Sequence, residues 1–166
     1  SHMVMVSVMS MTPAHLSGEG HSLADVGFTI SLHVAGMYAF SPVFGIISDK
    51  FGARPTILIG QLILLISVAV SGFGANNFTL VVFGLFLLGL GWSAGTVAGS
   101  ALLSQELSTE EKPVVQGFSD SLMSLSGAFG GAISGTILTL YGFGGLNAAA
   151  LLPVIMIVLA AGYSRR

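Results

Sequence analysis

Two long runs without a single Lys, Arg, Asp or Glu, residues 26–47 and 56–73, meet at one short charged hairpin, Gly45-Ile46-Ile47-Ser48-Asp49-Lys50-Phe51-Gly52-Ala53-Arg54-Pro55. At about 1.5 Å per helical residue each run reaches roughly 27–33 Å, the hydrocarbon thickness of a bilayer. Three charges therefore sit in a tight turn between two membrane-spanning helices. A carboxylate at Asp49 suits the positive end of the helix that follows and can pair with a nearby guanidinium. Gly52 permits the turn, and Pro55 can open the next helix, where its missing N–H is not needed.

Composition excludes the ordinary soluble classes. The chain is 53% hydrophobic and 7% charged, with 23 glycines, whereas soluble domains are about a quarter charged and membrane helices are richer in Gly. A net charge of −2 speaks against a nucleic-acid partner. The absence of cysteine rules out disulfides and thiolate metal sites. The 166 residues hold about six spans of about 20 apolar residues, and a twelve-span protein does not fit.

In chain order the expected spans are a partial one over 3–16, then 26–48, 55–73, 78–104, 114–140 and 146–163. Ser1-His2-Met3 reads either as a cloning remnant or as native sequence. The first segment, rich in Met and closed by Thr12-Pro13, is too short for a comfortable crossing and lacks the basic start and cleavage site of a signal peptide. Residues 15–25 form a polar loop, with Ser22 capping the next helix and Asp25 three residues on. Its His15, Glu19 and His21 are suitable metal ligands by type, but no fourth ligand is fixed nearby, and a solvated loop without metal is the preferred reading.

The second span carries His33, Tyr38, Ser41 and Pro42, and Gln61 is the one strongly polar side chain of the third. Gly91, Gly95 and Gly99 recur at spacings of four in the fourth span, as do Gly127, Gly131 and Gly135 in the fifth. Each set makes a smooth helical face where a neighbouring backbone can approach closely. Tyr141 to Gly145 turns the chain into the sixth span. With six spans, all five basic residues (Lys50, Arg54, Lys112, Arg165 and Arg166) fall on one side, and the loops 15–25, 74–77 and 141–145 on the other carry none. The positive-inside rule makes the basic side cytoplasmic.

The spacing Gly45-x-x-x-Asp49-Lys50-x-Gly52-x-Arg54 resembles the signature loop of the major facilitator superfamily of secondary transporters. The likeness extends over nearly the whole chain. Thr12-Pro13, His33 to Tyr38 and Ser41-Pro42 are similar to the seventh and eighth helices of bacterial members, and Leu88 to Trp92 and Gln116 to Asp120 to the tenth and eleventh. The resemblance implies a C-terminal six-helix half in a bacterial plasma membrane, its first helix truncated, completed by a missing N-terminal half. Family loops often carry a basic residue where Ala53 stands, and the N-terminal half often has an Arg in its fourth span that this chain lacks. The family also implies that the second, fourth and fifth helices line the substrate path and that the helix bearing Gln61 is peripheral.

Among the acids and bases only Asp120 falls clearly inside a span, roughly 9 Å along the fifth. A carboxylate in the membrane is costly unless paired, hydrated or protonated, which marks it as a site for a proton or a cationic group. The competing reading is an aspartate near the cytoplasmic surface, reached by water. His33 lies near mid-membrane and is either a titrating group or one satisfied by an interhelical hydrogen bond. Tyr38, Trp92 and Ser93 complete the expected cavity lining. No phosphate-binding loop, paired carboxylates or activated nucleophile is present, so no enzyme and no cofactor is expected.

The sequence thus predicts an all-α integral membrane bundle of about six segments. Its expected role is half of a secondary active transporter for a small molecule, working by alternating access, with H⁺ as the candidate coupling ion. The alternative is a non-transporting scaffold or truncated paralogue that associates through its glycine-rich faces.

Overall fold

The computed structural model describes residues 1–105 and 107–163. Helix dominates them: α1 (His2–Gly18), α2 (Leu23–Tyr38), α3 (Ser41–Phe51), α4 (Ala53–Phe73), α5 (Phe78–Gln105) and α6 (Lys112–Tyr163). Among the described residues four stretches are long and apolar enough to cross a membrane: Leu23–Phe51, Ala53–Phe73, Phe78–Gln105 and Lys112–Ala160. At 17 residues α1 reaches about 25 Å, further than the expected 3–16 but still short of a bilayer core.

The second crossing, expected as one helix over 26–48, is broken into α2 and α3. The cause is local. Pro42 has no N–H to offer the carbonyl of Tyr38, so the helical ladder fails there. Ser41 repairs part of the damage by donating its hydroxyl to the Met37 carbonyl at 3.0 Å. The charged hairpin is sharper than a loop, for α3 ends and α4 begins on the single residue Gly52, whose φ of 94° favours glycine. Pro55 stands in the first turn of α4, where no N–H is required, and the helix starts two residues before it.

The turn expected over 141–145 is likewise reduced to one residue. A straight α6 of 52 residues would span about 78 Å, more than twice a bilayer core. Gly142, at φ 67° and ψ −177°, breaks it into two arms. Ile133 and Ile137 before the break and Ala149, Ala150 and Pro153 after it line one cavity against α1, so the arms fold back side by side.

Lipid offers no hydrophobic reward for bringing helices together, and close backbone packing has to supply it. The α4–α5 contact is built on Gly60, where an added Cβ would lie 2.9 Å from the Gly91 carbonyl and 3.0 Å from the Gly95 nitrogen. The α2–α5 contact uses Gly36, whose Cβ would come 2.7 Å from the Phe86 carbonyl, and Gly89, whose Cβ would strike the His33 carbonyl. On α6 the closest approaches to α1 are at Gly127, against the His2 ring, and at Gly130, 3.0 Å from the Met3 carbonyl. Gly131 and Gly135 make only ordinary contact, and Gly99 has open space. The spacing of four thus marks Gly91, Gly95 and Gly127 but not Gly36, Gly60, Gly89 or Gly130. Around these contacts Val4, Val8, Leu64, Val68, Leu85, Leu88, Leu146 and Val154 form one buried cluster.

The 15–25 segment is more structured than a solvated loop. Ser22 and Asp25 close a full capping box at the start of α2, as their spacing predicts. His15 accepts or donates across 2.7 Å to the Ala75 carbonyl and stacks on Phe143 at 4.2 Å between ring centroids. His21 packs on Phe78 at 4.6 Å. These contacts gather the α1–α2 link, the α4–α5 turn and the Gly142 break at one end of the bundle. Lys50, Arg54 and Lys112 occupy the helix ends opposite; Arg165 and Arg166 lie outside the described residues.

Candidate functional site

Helix α5 carries the site. Trp92, Thr96 and Ser100 are four residues apart and share one face. At the deeper end the Trp92 indole donates its Nε1–H to His2 Nδ1 at 2.9 Å. The Tyr38 ring, 61% exposed, meets the Trp92 indole edge-on at 6.1 Å between centroids. Ser93, on the adjoining face, is buried, and its Oγ lies 3.0 Å from that of Ser41 at the α2–α3 break.

Toward the basic end the same face opens into a cleft of about 330 Å³ between the start of α1, α5 and the first arm of α6, lined by Ser1, His2, Thr96, Ser100, Gln116, Ser119, Asp120 and Ser126 among others. Its lining is rich in hydroxyl, amide and carboxylate side chains. Gln116 Nε2 donates to Asp120 Oδ1 at 2.9 Å and reaches Ser100 Oγ at 3.4 Å. Asp120 is exposed to this cleft. His2 belongs to both regions, so Tyr38, Trp92, His2, Gln116 and Asp120 form one continuous stripe.

Other expected residues lie elsewhere. His33 is fully buried between α2 and α5, its Nδ1 2.8 Å from the Leu85 carbonyl and its Nε2 without a partner. It does not line the cleft. In the hairpin Asp49, Lys50 and Arg54 are exposed, Gly45 faces open space, and Ala53 is buried. A small neutral side chain fits that buried position, where a basic one would need a new exit to water.

Sequence reading missed two partners. Gln116 precedes Asp120 by four residues, the spacing at which helical side chains meet, and that signal was available. Gln61 is fully buried and hydrogen-bonded to Ser1 at 2.7 Å, which no periodicity announces.

Long apolar helices, a glycine-based interior and one polar stripe define a polytopic helical membrane protein. Its family is specific: the profile described as Major Facilitator Superfamily matches residues 1–165, and the chain belongs to that superfamily. Two uncharacterized MFS-type transporters of Bacillus subtilis strain 168 are similar to it. YddS is 36% identical over 169 residues, covering 100% of this chain, and YdeG is 37% identical over 163 residues, covering 94%. The riboflavin transporter RfnT of Brucella anthropi is 27% identical over 161 residues, or 96% of the chain. The chain spans only 38–39% of the length of these relatives.

Proposed function

We propose that this chain forms the C-terminal six-helix half of a secondary transporter for small molecules, α1 and the two arms of α6 counting among its crossings. The solute binds against the stripe from Tyr38 and Trp92 to Asp120, and an N-terminal half completes the cavity. Rocking of the two halves exposes the site alternately to either side. The basic end faces the cytoplasm of a bacterial cell.

The observation that carries this reading is the juxtaposition of exposed Tyr38 and half-buried Trp92 with a polar cleft on one face of an otherwise apolar bundle. Few polar groups set in an apolar surface are what a small-molecule site requires. Asp120 is the proposed contact for a proton or a cationic group, because it is the carboxylate that lines the polar cleft, where Gln116 donates to its Oδ1. The geometry favours a packing role for His33. A scaffold that associates through glycine faces is less well supported, because Gly91, Gly95 and Gly127 are already occupied within the chain.

The test is uptake by the full-length protein in proteoliposomes under an imposed pH gradient. Riboflavin is the first solute to try, given the relative named for it. Asp120→Asn should abolish proton-driven accumulation while leaving solute exchange intact, and Trp92→Ala should weaken both. Proton-driven accumulation unchanged in Asp120→Asn would remove Asp120 from the coupling path.

A further inference from the structure

Asp120 and the α5 hydroxyls of the cleft belong to different helices, and one side chain spans them. Gln116 stands one turn before Asp120 on α6, the spacing at which helical side chains meet. Its Nε2 donates to Asp120 Oδ1 at 2.9 Å and to Ser100 Oγ of α5 at 3.4 Å. An ionised carboxylate only accepts, so the amide turns its nitrogen to Asp120, and its two hydrogens serve one partner each. Among the described residues the Gln116–Ser100 contact is the one side-chain hydrogen bond between α5 and α6. The backbones do not reinforce it at this level. Gly99 on α5 and Gly117 on α6 each have nothing within 4 Å of an added Cβ, so neither backbone packs on the other there.

We propose that Gln116 is a positioning residue that couples the occupancy of Asp120 to the separation of α5 and α6; this rests on the transporter reading above. A hydrogen bond to an ionised carboxylate is roughly twice as strong as a neutral one. While Asp120 is ionised and unoccupied, it holds the amide nitrogen toward itself, and the second hydrogen is aimed at Ser100. A proton or a cationic group arriving at Oδ1 cancels the charge that orients the amide, and the longer bond to Ser100 loses its donor. The first arm of α6 then parts from α5 at the cleft. Ser100 shares the α5 face of Trp92, so the change reaches the helix that carries the aromatic end of the stripe. Asp120 and His2 are the titratable side chains in the cleft lining, and α5 adds none there.

The experiment uses the full-length protein with any cysteines outside this chain replaced. Spin labels are placed on Ser104→Cys of α5 and Phe118→Cys of α6, both exposed and neither lining the cleft. Double electron–electron resonance reads their separation. Asp120→Asn, which makes the group permanently neutral, should lengthen the distance by about 2 Å, the size of helix shifts at interfaces. Gln116→Leu and Ser100→Ala, which remove the bridge from either end, should each lengthen it by a similar amount. Adding Asp120→Asn to either of these should change nothing further. That dependence on residue 120 is what a glutamine serving only to pack would not show, and Ser100→Ala keeps the comparison open should Gln116→Leu fail to fold. A distance in Asp120→Asn equal to that of the wild type, or a full further shift when it is added to the bridge variants, would overturn the inference. A wild-type protein that moves no solute strikes the transporter reading instead, because the distance is read without any flux.

Discussion

The hydroxyl oxygens of Ser41 and Ser93 lie 3.0 Å apart and tie the broken second crossing to α5. Ser41 has already given its proton to the Met37 carbonyl, so Ser93 is the donor between them. Interhelical hydrogen bonds in membranes are worth about 0.6 kcal/mol on average. A double-mutant cycle of Ser41→Ala and Ser93→Ala, read by thermal unfolding in detergent, should return a coupling of about that size. Ser41→Ala alone should cost more than Ser93→Ala, roughly 1–2 kcal/mol, because it also leaves a carbonyl unpaired at the break. A coupling of zero would make the contact incidental.

Gly89 and Gly99 lie on the same helix, and substitution should separate them. A methyl at Gly89 meets the His33 carbonyl and sits 2.9 Å from the Met37 nitrogen, so α2 has to move away from α5. Gly89→Ala should destabilise the protein by about 1–3 kcal/mol, the usual penalty for overpacking. Gly99 has nothing within 4 Å, and Gly99→Ala should be neutral or gain up to about 1 kcal/mol of helix propensity. Equal melting temperatures for the two variants would refute the packing assignment.

The pair also shows what the sequence could and could not disclose. Charge-free runs marked the apolar crossings because an apolar length is a local property, read without knowing any neighbour. Ser22 and Asp25 were legible for the same reason: a capping box closes within four residues. Packing is not local. Gly99 continues the spacing of Gly91 and Gly95 yet touches nothing, while Gly36 and Gly89 follow no run and carry the α2–α5 contact. Asp120 stands out as a charge within an apolar run and Tyr38 by its place near His33 on one helix, whereas Trp92 and Ser93 follow only from the family resemblance. Gln61 was set aside because its helix is peripheral in the family. Its burial follows from the close packing of Gly60 on Gly91 and Gly95 of α5, which only the assembled bundle reveals.

His33 is enclosed on all sides, and its nearest polar group is the Leu85 carbonyl at 2.8 Å. His33→Ala should cost about 2–4 kcal/mol, chiefly through the cavity left between α2 and α5. His33→Gln retains a donor for that carbonyl and should recover most of the loss. Proton-driven uptake per folded molecule should be unchanged in His33→Gln. Loss of that uptake with the melting temperature preserved would move the proposed coupling role from Asp120 to His33.

Outside the membrane, Ser108 donates both its hydroxyl, at 2.6 Å, and its backbone N–H, at 3.1 Å, to one oxygen of Glu111 just before α6. These hydrogen bonds, the hydroxyl's first, hold the Glu111 carboxyl below its ordinary value. A carboxylate depressed in the folded state stabilises the fold above its unfolded value, and that contribution is lost as pH falls through the folded value. The Ser108–Glu111 closure should therefore be constant from neutrality down to about pH 4.3 and weaken only below it. Ser108→Ala removes the hydroxyl donor and should move the Glu111 titration upward toward the ordinary glutamate range. A carboxyl-carbon NMR titration of the labelled protein reads this directly. Coincident curves for wild type and Ser108→Ala would show that the hydroxyl does not hold the carboxylate and that the start of α6 is set by its backbone alone.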